Sequence, residues 1–179
     1  MKIIYLIGEP GSGKTTLTEA FTHNWTNPQH FEKPIKYRTH DTAHGAALSL
    51  GWLRPNFGGT DTLGNAAILE IEPWLPKVSK GNSYQILYGE GDRLANDRFF
   101  NLCRDNGEFY LFYLDTDPGI AQIRRYERSL ATGKEQNPTW VKGRATKHRN
   151  LAQKWNATYI PNGLTPQQGA DLISQKVFS

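Results

Sequence analysis

Residues 1–15 read Met1-Lys2-Ile3-Ile4-Tyr5-Leu6-Ile7-Gly8-Glu9-Pro10-Gly11-Ser12-Gly13-Lys14-Thr15. Lys2 to Ile7 is a continuous apolar run with β-branched residues and ends at glycine, the pattern of a short strand buried on both faces. Gly8 to Thr15 then matches G-x-x-x-x-G-K-[ST], and from Thr15 to Asn24 Leu17, Ala20 and Phe21 recur on one helical face. Strand, glycine-rich turn and helix in that order are the context this motif requires. The glycines let successive backbone N–H groups converge on anionic oxygens, and the helix N-terminus adds its dipole. Lys14 is expected to reach the β- and γ-phosphates, and the Thr15 hydroxyl to ligate Mg²⁺. Gly8, Glu9, Pro10, Gly11, Ser12, Gly13, Lys14, Thr15 and Thr16 are therefore the candidate nucleotide-binding set, with ATP and Mg²⁺ as cofactors.

The 179 residues suffice for one domain with a substantial core. Charged residues at 21% and aromatics at 12% fit a globular chain rather than a disordered one. A single cysteine, Cys103, excludes a disulfide framework and a multi-cysteine zinc site, and fits a reducing cytoplasm. The longest apolar stretch, Phe109 to Leu114, is far short of the roughly 20 residues of a membrane span. The start of the chain also lacks the pattern of a signal peptide. A soluble cytoplasmic protein is expected.

Charge is unevenly spread. Between Ile123 and Lys154 nine Lys or Arg face only Glu127 and Glu135, so this segment is +7 and the remainder −3, for a net charge of +4. Such concentration suggests a phosphate-rich partner, although a solvated helix face reads the same way.

Further along, Ile35–Thr39 is a second strand candidate, and 40–64 reads as a long Gly-, Thr- and Asn-rich connection. Thr62–Trp74 is expected to be helical, Ser83–Tyr88 a third strand, and Arg93–Asp105 a helix. Glu108–Leu114 is a strongly apolar fourth strand. Asp117-Pro118 is a helix start, cap followed by proline at the first helical position, and that helix runs to about Ala131. Gly133 to Gly143 breaks the pattern, Arg144–Lys154 resumes it, Ala157–Ile160 is a fifth strand and Thr165–Val177 a last helix. Strands and helices alternating in this way predict an α/β fold with a doubly wound, five-stranded parallel sheet.

The nucleotide loop alone does not fix the activity. The N-K-x-D guanine signature of GTPases is absent from the sequence, and the third strand ends in Gly89-Glu90-Gly91-Asp92-Arg93 rather than in the Asp-Glu usual for translocating ATPases. Arg124, Arg125 and Arg128, followed by Lys142, Arg144 and Lys147, resemble the arginine-rich lid of P-loop nucleoside and nucleotide kinases. Three further patches, Gly59-Thr60-Asp61-Thr62-Leu63, Gly89-Glu90-Gly91-Asp92-Arg93-Leu94 and Gln136 to Arg144, resemble small bacteriophage-type P-loop kinases, among them the 5-hydroxymethyluracil DNA kinases. No room is seen for the additional helical domain that some of that group carry.

The resemblance implies one kinase domain over 1–179, with an acceptor-binding insertion about 41–75 and a lid about 124–150. It implies that Arg124 binds the nucleotide, that Arg128 and Arg144 stabilise the transferring phosphoryl group, and that Asn162 and Gly163 in the turn after the fifth strand cradle adenine, a plain strand-to-helix turn being the alternative. A phage-encoded protein would work in the host cytoplasm.

On the acceptor side a carboxylate within reach of the attacking hydroxyl is needed. Asp41, after the second strand, is one candidate base. Glu90 and Asp92 close the third strand, where ligands of such sheets bind; one is expected to assist Mg²⁺, Glu90 being the candidate for the metal side, and the other to orient Arg93. Thr60 and Asp61 read either as substrate contacts or as the cap of the next helix. Trp140 and Lys142 are candidate substrate contacts by stacking and charge. Trp52 and Phe57 fall in segments expected at the mouth of the site. His40 and His44 flank Asp41 without a third soft ligand, which argues against zinc.

Three activities fit this reading: a kinase acting on the hydroxymethyl group of a modified pyrimidine in DNA, a kinase of free nucleosides or nucleoside monophosphates, and a DNA-binding ATPase or nucleotide switch. The expected partners are ATP together with DNA or a free nucleotide.

Overall fold

The computed structural model describes residues 1–52 and 58–179; Phe57 lies outside them. Seven strands are described: β1 (Lys2–Ile7), β2 (Thr26–Phe31), β3 (Tyr37–Thr42), β4 (Gly45–Leu50), β5 (Ile86–Glu90), β6 (Glu108–Leu114) and β7 (Thr158–Ile160). The helices are α1 (Lys14–Phe21), α2 (Ala67–Lys80), α3 (Asp97–Asn106), α4 (Pro118–Thr132), α5 (Pro138–Lys154) and α6 (Pro166–Phe178), with a 3₁₀ turn at Gly59–Thr62. The strands form one sheet in the order β2-β3-β4-β5-β1-β6-β7. No helix of the described residues is long and apolar enough to cross a membrane.

The α/β class stands, but the strand count rises from five to seven. Both extra strands belong to an antiparallel addition: β2 pairs antiparallel with β3, β3 antiparallel with β4, and β4 parallel with β5. β2 was invisible to a hydrophobicity reading because every one of its residues is exposed. It also carries Pro28 and a left-handed Asn27 (φ 52°), and its register shifts between Thr26 and Gln29. An edge position tolerates these features, since a proline there removes no interior ladder bond. β4, Gly-Ala-Ala-Leu-Ser-Leu, is poor in β-branched residues and takes its conformation from burial between β3 and β5.

Helix boundaries follow their caps. Asp117 accepts from the amides of Gly119 and Ile120, as expected from the sequence. Asn137 accepts from Trp140 N at 3.1 Å with Pro138 at the first position. That cap starts α5 six residues earlier than expected, so Gly143 and Arg144 lie inside the helix instead of at its border. α2 continues past Trp74 to Lys80 despite Pro73 and Pro76, with Ala67, Ile71 and Leu75 burying one face at four-residue spacing.

The residues sort into two compact units, 1–5 with 22–110 and 6–21 with 111–179. In the first, Tyr5 meets Phe99 and Phe100 of α3 edge-on at 5.3 and 5.7 Å between ring centres. In the second, α1 packs on α6; a Cβ at Gly169 would lie 2.9 Å from Leu17 Cδ1. α6 begins with a reciprocal cap between Thr165 and Gln168.

Candidate active site

The phosphate loop belongs to the second unit. It leaves β1 after Ile7 and enters α1 at Lys14. Gly11 (φ +87°) and Gly13 (φ +94°) have left-handed backbones, and added Cβ atoms would approach Ala121 O at 2.6 Å and Arg124 Nη1 at 2.9 Å. Conformation and space both demand glycine there. The Lys14 ammonium donates to the carbonyls of Gly8 (2.9 Å) and Glu9 (3.0 Å), which places its charge over the mouth of the loop.

Two helices hold this loop from outside. From α4, Arg124 donates to Ser12 O at 2.9 Å and Arg125 to Pro10 O, with Glu9 at 3.9 Å from the Arg125 guanidinium. Burial raises the Glu9 carboxyl above its usual range, while Arg125, Arg149 and Lys14 draw it back down. From α5, His148 is buried, and its Nδ1 receives the Gly8 amide at 3.2 Å. Thr116 Oγ1 adds a bond to Ser12 O at 3.1 Å.

His148 was not among the candidate residues, and Arg125 stood out only as part of the lid resemblance, not as a support of the loop. A polar residue on the apolar face of α5, beside Leu151 and Ala152, was the available signal for His148.

The remaining candidates of this unit, Trp140 and Lys142 on the substrate side among them, sit as follows. Arg128 is half-buried on α4, and Asn162 with Gly163 (φ +91°) forms an exposed turn after β7. On α5 the Arg144 guanidinium lies 5.5 Å from the centre of the Trp140 ring, while Lys142 is exposed. Trp140 is 43% exposed, so its ring is available as a stacking surface.

The first unit carries the acceptor-side candidates, clustered where β5 ends. Thr60 is fully buried; its hydroxyl lies 2.8 Å from Tyr5 Oη and donates to Glu90 O at 2.8 Å. Tyr5 Oη also reaches Gly91 O at 3.1 Å. Asp61 Oδ1 accepts from the amides of Asp92 (2.8 Å) and Arg93 (3.1 Å), and the Arg93 guanidinium bonds Asn65 Oδ1.

Thr60 and Asp61 thus build the turn after β5. The α2 cap position falls to Ala66, so neither reading made from the sequence describes Thr60, which has no solvent-facing surface for a substrate. Gly59 (φ +56°) and Gly91 (φ +118°) complete the cluster, since a Cβ at Gly59 would meet Glu90 O at 2.5 Å. Glu90 is 2% exposed.

Asp41 is placed otherwise. It lies inside β3, opposite Ala46, and accepts from Asn27 Nδ2 at 2.7 Å. Ala46 O in turn accepts from Gln85 N, so Asp41 stands level with the start of β5. Because β3 runs antiparallel, its end falls at the wrong edge of the sheet, about 15 Å along the strand from Glu90. His40 is buried with Nε2 2.8 Å from Ser49 Oγ, and His44 sits in the β3–β4 turn.

A family model described as P-loop Nucleotide Kinase3 matches residues 1–164. The chain belongs to that family. This P-loop kinase is accordingly a phosphotransferase. No curated protein sequence matches it. Among solved structures it is similar to a sugar kinase from Janibacter sp. HTCC2649 in its unliganded form, at 11% identity and TM-score 0.53, over 99% of this chain and 96% of the other. It is similar also to an uncharacterized protein from Eubacterium ventriosum, at 11% identity and TM-score 0.55, over 100% and 99% of the two chains. Both likenesses concern the fold of the kinase.

Proposed function

We propose that the kinase moves the γ-phosphoryl group of ATP, with Mg²⁺, to the hydroxymethyl group of a modified pyrimidine in DNA, 5-hydroxymethyluracil. The phosphate loop with Lys14 at its mouth supports the triphosphate half of this reading. Mg²⁺ fits the Thr15 hydroxyl, since this ion keeps most of its waters and needs few protein ligands. Lys14, Arg128 and Arg144 neutralise charge that develops on the transferring group. Glu90 or Asp92 takes the acceptor proton and Arg93 positions the acceptor. Asp41 is left out of this set because of its place at the far end of the strands.

The observation that carries the DNA acceptor is the basic surface of α4 and α5. Lys142 and Trp140 are exposed on α5 and Lys134 in the connection before it, and cation with aromatic is the combination that holds nucleic acid. The test is transfer of radiolabelled γ-phosphate to duplex DNA containing 5-hydroxymethyluracil, to plain duplex DNA and to free nucleosides and nucleotides. Label in the modified duplex alone, with affinity falling steeply between 50 and 200 mM salt, is the expected result. Label in plain DNA, or a flat salt response, defeats it.

One observation favours a free nucleoside or nucleoside monophosphate as acceptor. Arg124 and Arg125 are engaged with the Ser12 and Pro10 carbonyls, so part of the basic excess supports the loop rather than a polymer. Label in a free nucleotide establishes that reading.

A further inference from the structure

The antiparallel addition carries a row of side chains that the nucleotide chemistry does not use. Tyr88 pairs with Ser49, Ser49 with Arg38, and Arg38 with His30, so four residues on four successive strands stand side by side. Directly opposed residues share a face of the sheet, and Glu90, two positions beyond Tyr88, shares it too. Trp25 closes one end of the row, 5.3 Å from the ring of His40 and 6.1 Å from that of Tyr88. Trp52 stands over His30 at 6.1 Å, with the Lys36 ammonium 4.7 Å from its ring centre.

Within this row the Arg38 guanidinium has no carboxylate. It takes no part in the ion pairs of Lys2 with Glu108, Arg98 with Glu72, Arg104 with Asp105 or Arg125 with Glu9. Residues 53–57 contain no acid that could serve instead. Arg38 Nε is buried without a hydrogen-bond partner, and so is His40 Nδ1. Burial, Arg38 and His30 together lower the His40 imidazole to about 4, so it is neutral in the cell and leaves Arg38 as the charge at the centre of the row. A guanidinium stays protonated even when burial opposes it, and its planar fork fits two oxygens at once. A half-buried Arg without its counter-ion costs stability, and the row is open to solvent at its outer end, where His30 on β2 is exposed and Arg38 and Trp52 are half-buried, while Ser49 and Tyr88 are buried beneath them.

We propose that Arg38 recognises an oxyanionic group, carboxylate or phosphoryl, on the acceptor, with Ser49 and His30 beside it and Trp25 and Trp52 as walls. This rests on the reading that the acceptor enters where β5 ends; the charged end of the acceptor then lies along the row while its hydroxyl faces Glu90. A nucleoside monophosphate, a sugar acid and the phosphodiester of DNA all offer that chemistry.

The test uses the full chain and matched pairs that differ in the anion: thymidine and thymidine 5′-monophosphate, glucose and gluconate, and 5-hydroxymethyl-2′-deoxyuridine alone and within an oligonucleotide. Binding is read from the fluorescence of Trp25 and Trp52, and transfer from labelled ATP. The anionic member of at least one pair should bind about tenfold tighter or more than its neutral partner, and Arg38→Met should erase that difference. Arg38→Lys should restore only part of it, because charge returns without the fork.

Arg38→Met should also melt at or above the wild-type temperature, since it removes a half-buried charge that has no partner. Equal binding of both members of every pair overturns the proposal. So does a preference unchanged in Arg38→Met, or a melting temperature that falls by several degrees, which would make Arg38 structural. Anion binding that needs Arg38, with no phosphate transferred to 5-hydroxymethyl-2′-deoxyuridine alone or within an oligonucleotide, would sustain this site and defeat the proposed acceptor instead.

Discussion

Asp41 and Glu90 stand at opposite ends of the same strands: Asp41 is level with Gln85, and Glu90 closes β5. The separation follows from chain direction, because β3 runs against β4 and β5. A base placed after a strand is near the ligand only when that strand runs parallel to its neighbours. Glu90→Gln should therefore lower kcat by about 10², the worth of general base catalysis, with ATP affinity retained. Asp41→Asn should stay within about twofold of wild type. Steady-state kinetics on both variants decides the matter, and the reverse outcome would return the base to β3.

Lys14→Ala should reduce phosphoryl transfer on the order of 10³-fold or more, since the β- and γ-phosphates lose the cation that the loop holds over them. Its ammonium bonds the Gly8 and Glu9 carbonyls and Ser12 Oγ, all within the loop itself, so the fold should survive the change. Circular dichroism together with the label assay separates the two effects. Turnover near wild type would remove the loop from the mechanism.

The pH dependence of stability has one identifiable source in His40. Its folded value is lowered from 6.5 to about 4, chiefly by burial. The native state therefore binds fewer protons than the unfolded state between those values. The resulting stability is fully present above pH 6.5 and drains away as pH falls toward 4. From pH 7 to pH 5 the loss should be about 2 kcal/mol. His40→Gln, which keeps a group able to meet Ser49, should flatten that part of the profile. Urea titrations of both proteins at pH 7 and 5 measure the difference, and parallel profiles would show that His40 is not its source.

Gly143 lies in the interior of α5, and a Cβ there would meet nothing within 4 Å. Gly143→Ala should raise stability by about 0.5–1 kcal/mol, because the unfolded chain loses freedom and the helix gains a better former. A calorimetric melt is sufficient to check it. A lower melting temperature would mean that the helix needs to bend at this residue.

How much of this was legible before the fold was known depends on which physical signal each part carries. The phosphate loop was fully legible, since Gly11, Gly13 and Lys14 are required by geometry and charge that leave a spacing in the sequence. β6 and the Asp117 cap were legible for the same kind of reason, a local pattern with a local cause. β2 was not, because an exposed edge strand has no apolar alternation to read.

On the acceptor side, Thr60 and Asp61 stood out as residues but not as roles. Their bonds go to Tyr5, Glu90 and the amides of Asp92 and Arg93, about thirty residues or more away in the chain. The Arg38 row was hidden more deeply, since its members come together only through the register of four strands, two of them unforeseen.

The outermost strand has a bearing on how the kinase can meet other chains. β2 offers its free edge with a proline at position 28 and a break in register beside it. A passing strand would find no amide hydrogen at Pro28 and a ladder out of step on either side. The sheet is thus closed to growth on the flank where the anion row opens, so a nucleotide, sugar acid or DNA strand can approach that edge while another protein's backbone finds no template there.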